Sequence, residues 1–109
     1  MGRDGADNGD LLEAGELEIR PAEHAVLVHG HPLSLTVREL QLLTTLASNE
    51  DRILTREELY SSVWGGRLPD HDRSVDVYVS RLRRKLAEAL PGQRFIHTHT
   101  GIGYRFFPR

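Results

Sequence analysis

The sequence predicts an α+β chain in which a short N-terminal antiparallel sheet precedes three helices and a C-terminal β-hairpin. Three observations lead there. Short apolar runs punctuated by Pro and Gly fill residues 16–35. Two Thr-x-x-Glu boxes open helical patterns at Thr36 and Thr55, and a Thr100-Gly101-Ile102-Gly103 turn separates two short strand-like stretches after residue 94.

Residues 1–15 are rich in Gly and Asp and poor in apolar side chains, so they read as a disordered tail or linker remnant, leaving 16–109 as the folded domain. Leu17 with Ile19, then Ala25 to Val28, then Leu33 with Leu35 read as three strands, divided by Pro21-Ala22-Glu23-His24 and Gly30-His31-Pro32. Such a meander must be covered by helices. The first helix opens at Thr36, where Glu39 completes a reciprocal capping box, and its buried face is Leu40, Leu43, Leu46 and Ala47. The second opens at Thr55 with Glu58, places Leu59, Tyr60, Val63 and Trp64 at helical spacing, and ends at Gly65-Gly66. Ile53-Leu54 between them reads equally as a very short strand or an extended link. After a loop over 65–72, Ser74 to Ala89 carries the cleanest helical pattern and is stopped by Pro91-Gly92; Phe95 to His99 and Tyr104 to Phe107 form the hairpin.

At 109 residues, 39% hydrophobic and 28% charged, the chain suits one core. The absence of cysteine excludes disulfides and thiolate metal sites and fits a reducing cytoplasm. No signal-like segment opens the sequence and no apolar run approaches the ~18 residues of a membrane span. The net charge of −2 hides an asymmetry. Residues 1–51 hold 3 Lys+Arg against 10 Asp+Glu, a balance of −7, whereas residues 52–109 hold 11 against 6, a balance of +5. A polyanion responds to the local field, so the charge count reads equally as the footprint of a nucleic-acid binder in the second half or as a scatter of solvated charges.

The third helix carries that footprint. At 100° per residue, Val75, Val79, Leu82 and Leu86 form the buried stripe, and Val77, Ser80, Arg81 and Arg84 fall opposite, flanked by Asp76 and Arg83 on one side and Tyr78 and Lys85 on the other. Arg81 suits bidentate contact with guanine, Val77 a thymine methyl, and Ser80 a base or a phosphate. An Arg-rich run alone is commonly a solvated helix face, but Val77 opposite the core stripe has no structural duty. In the hairpin, Gly101 and Gly103 permit a tight tip, with Thr98 and Thr100 small enough to approach a sugar-phosphate backbone. Tyr104, Phe106 and Phe107 read mainly as core, with the Tyr104 hydroxyl free to reach a phosphate. Together these elements describe a winged helix-turn-helix binding double-stranded DNA, with the helix at 74–89 in the major groove and the hairpin at 95–107 as the wing.

The order of elements and the words along it resemble the OmpR/PhoB-type winged-helix effector domains of two-component response regulators, which are transcription regulators. The resemblance rests on Leu35-Thr36 with Glu39 and Leu42-Leu43; Thr55 to Leu59 ending in Val63-Trp64-Gly65; Arg73 to Val79 followed by Arg81-Leu82-Arg83; and Gly101 with Gly103-Tyr104-Arg105-Phe106. It covers roughly 16–109 and implies a four-stranded N-terminal sheet and head-to-tail dimers on direct repeats. It implies Arg81 as main base reader beside Val77, and Arg56, Trp64, Arg73, Tyr78, Arg83 and Tyr104 as phosphate-binding residues. Thr98 would lie at the wing end nearest DNA, and the loop 65–72 would be offered to RNA polymerase. Thr100 stands where the family often carries a minor-groove arginine, and Ser80 where a basic residue is common. The receiver domain typical of the family is not among these 109 residues, which read either as an excised effector domain or as a stand-alone regulator.

Two rival readings keep other chemistry open. His29-x-His31 and His97-x-His99 place imidazoles on alternate strand positions and offer a His-based metal site. The fold is also compatible with a protein-interaction module, the third helix docking an acidic partner. An enzyme is disfavoured: no nucleophile elbow, phosphate loop or HExxH sequence occurs, no cofactor motif is present, and Asp76 is better explained as a charge partner for a neighbouring arginine.

Overall fold

A computed structural model describes residues 11–108. Strands β1 (Leu12–Ala14), β2 (Leu17–Arg20), β3 (Ala25–Val28) and β4 (His31–Pro32) form an antiparallel sheet in sequence order, with Ala14 opposite Leu17, Ile19 opposite Val26 and Val28 opposite His31. Alternation puts Ala14, Leu17, Ile19, Val26 and Val28 on the buried face. The sheet has four strands, as the resemblance implies, rather than the three read from the apolar pattern. Leu12–Ala14 belong to it instead of a tail, because a three-residue strand beside Gly15-Glu16 leaves too little alternation to outweigh the Gly/Asp composition around it. The rest of the expected tail, residues 1–10, lies outside the described residues. The last strand is His31–Pro32, and Leu33 and Leu35, read as strand, instead pack from the following segment onto the core.

Helices α1 (Val37–Ser48), α2 (Arg56–Val63) and α3 (Ser74–Ala89) cover that sheet. Both capping boxes form as the sequence predicts. The Glu39 and Glu58 amides donate to Thr36 Oγ1 and Thr55 Oγ1 at 3.1 and 3.0 Å, and each glutamate accepts the cap amide in return at 2.9 Å. The chain leaves α2 through Gly65 and Gly66 at φ +84 and +79, a left-handed passage that a side chain would strain. Leu42, Leu43 and Leu46 of α1 meet Leu59 and Val63 of α2 and Val75, Val79, Leu82 and Leu86 of α3 in one apolar core. Burying each such leucine contributes about 2 kcal/mol. No helix among the described residues is long and apolar enough to cross a membrane.

One charge lies inside this packing. Glu39 is 2% exposed and accepts a hydrogen bond from Lys85 Nζ at 2.7 Å, fastening the first turn of α1 to α3. Burial pushes its carboxyl up, but the Lys85 bond, the Thr36 amide and the Lys85 charge outweigh that and hold it below the ordinary carboxylate value.

β5 (Ile53–Thr55), β6 (Ile96–His99) and β7 (Gly103–Phe106) make a second antiparallel sheet in the order β5-β7-β6. Ile53-Leu54 is thus a strand, and it moors the wing to the base of α2. That pairing explains Gly103, which the sequence reading gave to the turn. A Cβ there would lie 1.9 Å from the Leu54 carbonyl oxygen and 2.9 Å from Thr55 Cα, so the glycine is required by backbone approach. Gly103→Ala is therefore expected to cost about 2 kcal/mol and to raise amide exchange selectively in β5 and β7, read by denaturant unfolding and hydrogen exchange. Lys85→Ala, which leaves Glu39 buried without its cation, is expected to cost about 3 kcal/mol at neutral pH in the same unfolding measurement. A loss below about 0.5 kcal/mol in either variant contradicts the corresponding contact.

Candidate nucleic-acid interface

The helical periodicity of Ser74–Ala89 decides which side chains leave the core. Val75, Val79, Leu82 and Leu86 are buried, and Val77, Ser80, Arg81 and Arg84 stand together on the exposed face. Val77 is 43% exposed, an apolar residue on the solvent side of the helix. Arg81 lies over the Tyr78 ring at 5.0 Å, and neither it nor Arg84 meets a carboxylate among the described residues. Tyr78 in turn packs edge-on to Trp64 at 5.3 Å, and Trp64 stacks on Tyr60 at 5.3 Å. Arg38 adds a guanidinium over Trp64 and donates to the Val63 carbonyl, so the end of α2 is tied to α1. The indole N–H of Trp64 has no acceptor among the described residues. A rigid aromatic shelf thus holds Arg81 at one border of the exposed face.

At the other border the Asp76 carboxylate gathers three donors from three parts of the chain. Arg56 Nε, from the start of α2, reaches it at 2.8 Å; Arg73 Nε, just before α3, at 3.1 Å; and the Tyr104 hydroxyl, from β7, donates to it as well. The Asp76 side chain is 14% exposed. Burial pushes this carboxyl up, but the bonds from Tyr104, Arg56 and Arg73, with the Arg56 charge, hold it below the ordinary value. Burial and the Asp76 bond together push the Tyr104 hydroxyl up. Its oxygen is therefore a committed donor, not the free hydroxyl expected from the sequence. Arg56 and Arg83 both lie over the Tyr104 ring, at 5.6 and 5.5 Å.

Arg83 completes the link to the wing. Its Nε donates to the Ile96 carbonyl at 3.1 Å and its Nη2 to the Thr98 hydroxyl. Thr98 and Thr100 are exposed, as is Ile102 at the wing tip, where its amide donates to the His99 carbonyl at 2.8 Å. The loop 65–72 is mostly exposed, and Asp72 closes it by accepting the Ser74 amide at 2.7 Å at the mouth of α3.

All the candidate residues from the sequence thus lie on α3 or its N-cap, on the wing, or at the two ends of α2. The histidine pairs do not converge. His97 is buried with Nε2 against the Phe107 carbonyl at 2.8 Å, His29 sits beside Glu16 at 3.2 Å, and no group of three potential metal ligands forms among the described residues. Sequence reasoning missed the threefold coordination of Asp76 and the Glu39–Lys85 pair. Glu39 was findable: it stands four positions before Leu43 of the predicted buried face.

Residues 30–106 match the family described as "Transcriptional regulatory protein, C terminal". The chain belongs to this family. Its members of the OmpR/PhoB type are DNA-binding transcription-regulator domains, not enzymes, and this OmpR/PhoB-type domain has their winged-helix fold. Among relatives, the sensory transduction protein RegX3 of Mycolicibacterium smegmatis is 38% identical over an alignment of 109 residues that takes in 94% of this chain and 48% of that protein. The chain spans about half the length of the curated relatives it matches. Among solved structures, the DNA-binding domain of CpxR from E. coli superposes with a TM-score of 0.82 at 34% identity, covering 90% of this chain and 96% of that one. The RstA DNA-binding domain of Klebsiella pneumoniae, solved in complex with RstA box, gives 0.81 at 32%, covering 90% and 97%.

In this OmpR/PhoB-type domain the Asp76 cluster sets an acid limit. A carboxyl whose folded value is depressed stabilises above its unfolded value, and that stability is lost as pH falls through the folded one. The same sign holds for Glu39. Stability is therefore expected to decline as pH drops below about 4, the ordinary carboxylate range. Asp76→Asn is expected to lose about 2 kcal/mol at pH 7 and to flatten that decline. Urea unfolding at pH 7 and pH 3 checks it, and an unaltered difference between the two pH values in Asp76→Asn refutes the assignment.

Proposed function

We propose that this domain binds double-stranded DNA sequence-specifically, with α3 in a major groove and the β6–β7 wing beside it. The observation that carries this reading is the exposed face of α3: Val77, Ser80, Arg81 and Arg84 stand clear of the core, and the two arginines have no carboxylate to neutralise them. Apolar, hydroxyl and guanidinium groups together match what a major groove presents. Arg81, steadied by the Tyr78 ring, is the main base reader, with Val77 against a thymine methyl. Arg56, Trp64, Arg73, Tyr78 and Arg83 face the flanking phosphates, with Tyr104 holding Arg56 and Arg83 toward them. Arg73 is suited to this duty because its side chain is 75% exposed and its bond to Asp76 exchanges readily for one to a phosphate. Thr98 and Thr100 bring the wing against the backbone without adding charge. The RstA domain in complex with RstA box supports the reading, since this chain is similar to it along nearly its whole length.

Finer features of the family are proposed with it. Two copies bind head-to-tail on direct repeats, and the loop 65–72 is offered to RNA polymerase. Selection from a random duplex library at near-physiological salt is expected to yield tandem half-sites about one helical turn apart. Recovery of nothing above background turns the reading toward a protein-interaction module. On the selected site Arg81→Ala is expected to cost about 1 to 3 kcal/mol and on random DNA far less; equal losses reduce Arg81 to a phosphate contact. Arg73→Ala is expected to weaken both duplexes alike and to lower the salt slope by about one; a loss confined to the selected site contradicts its positioning role.

A further inference from the structure

Between the C-terminal half of α3 and β6 lies a cavity of about 380 Å³. Phe95 and Ile96, both buried, form its apolar floor, and Arg83, Gln93, Arg94 and Thr98 are its polar lining. No carboxylate lines it. Arg83 is held at the cavity by the Ile96 carbonyl and the Thr98 hydroxyl, so its guanidinium cannot swing to solvent without breaking both bonds. Arg94 is exposed and has neither a hydrogen bond nor an ion pair among the described residues. Its charge nonetheless acts on Arg83. Burial lowers the Arg83 guanidinium, and the Arg94 charge adds to that against the opposing influence of Tyr104.

Two like charges beside one cavity, with no acid between them, repel each other in the unliganded chain, and an anion seated there removes the repulsion. The donors define its chemistry. Two guanidiniums, a carboxamide and a hydroxyl around a small opening match a tetrahedral oxyanion with several acceptor oxygens, which is a phosphate group. The position favours a duplex as its source. When a helix lies in the major groove and a hairpin beside the adjacent minor groove, the strand of phosphates dividing the two grooves must pass between them. The α3–β6 cavity lies between those two elements.

We propose that this cavity seats a backbone phosphate of bound DNA, with Arg94 and Arg83 supplying charge and Gln93 and Thr98 hydrogen bonds. The inference rests on the reading of α3 given above and adds Arg94, on the turn before the wing, to the contact set.

The test measures binding of the full chain to the selected duplex and to a scrambled one across a salt series. Arg94→Ala is expected to reduce the slope of log K against log salt by about 0.9 on both duplexes, and Arg94→Lys to retain it. Arg20→Ala on β2 removes the same charge far from α3 and is expected to leave the slope unchanged. Neutral methylphosphonate substituted one phosphate at a time along the duplex is expected to reveal one position that weakens wild type more than it weakens Arg94→Ala. An unchanged slope in Arg94→Ala overturns the seat and leaves the reading of α3 standing, and equal flattening by Arg20→Ala does the same. A wild-type chain that retains no duplex overturns both. Inorganic phosphate, added at constant ionic strength without duplex, is expected to leave the melting temperatures of wild type and Arg94→Ala equally unchanged. A saturable rise confined to wild type assigns the seat to a free oxyanion and overturns the backbone assignment.

Discussion

The relation between α3 and everything around it depends on the Asp76 carboxylate. It takes a guanidinium from the start of α2, another from the residue preceding α3 and a hydroxyl from β7, so one side chain fixes the helix-turn-helix angle and the placement of the wing together. The arrangement is cooperative in a specific sense. Removing the carboxylate leaves Arg56 half-buried without an acceptor and the buried Tyr104 hydroxyl without its partner, so the loss exceeds that of any single bond. Nor is the carboxylate easily replaced from outside, because Tyr104 and Arg56 are oriented by their ring contact as well as by Asp76. The exposed Arg73 is the exception, and it is the one member able to change partners on meeting another anion.

The second constraint works from the opposite side of α3. Glu39 is buried at the first turn of α1, and its Lys85 partner leaves α3 one position before Leu86. Apolar packing alone resists rotation of a helix only weakly, since Val75, Val79, Leu82 and Leu86 present a smooth stripe. A directional bond at Lys85 toward α1 and another at Asp76 toward α2 and the wing, about two and a half turns apart, fix the rotation of α3 at both ends. Orientation of Val77, Ser80, Arg81 and Arg84 toward solvent follows from that.

Most of the fold was legible because its signals are local. Capping boxes at Thr36 and Thr55, the stop at Pro91-Gly92 and the apolar stripe of α3 each lie within one turn or one period of the residues they organise, and the structure places them where the sequence does. What escaped was written across distance. β5 is three residues long and acquires its meaning only from β7, some fifty positions later, and Gly103 was assigned to the wrong cause for the same reason. β1 was hidden by the composition around it. At the interface, the exposed face of α3 followed from periodicity, whereas the state of each cation did not. Arg56, Arg73 and Arg83 are engaged, Arg81 and Arg84 are without carboxylate partners, and nothing in an Arg-Leu-Arg-Arg-Lys run separates the two groups.

That division bears on the net charge. A chain with a balance of −2 is a poor polyanion ligand by its total, yet its acidic excess sits in residues 1–51 and its cations in 52–109. With a Debye length of about 8 Å at physiological ionic strength, the field met by an approaching phosphate comes mainly from groups near α3 and the wing. Within that region Asp76 already serves two guanidiniums, and Glu88, exposed on the last turns of α3, pairs with neither Arg81 nor Arg84. The local surplus of positive charge therefore rests on Arg81, Arg83, Arg84 and Arg94, side chains that the folded chain leaves without a carboxylate partner among the described residues. Charge placed this way contributes little to stability and remains available to a partner, which separates a binding face from an ordinary solvated helix.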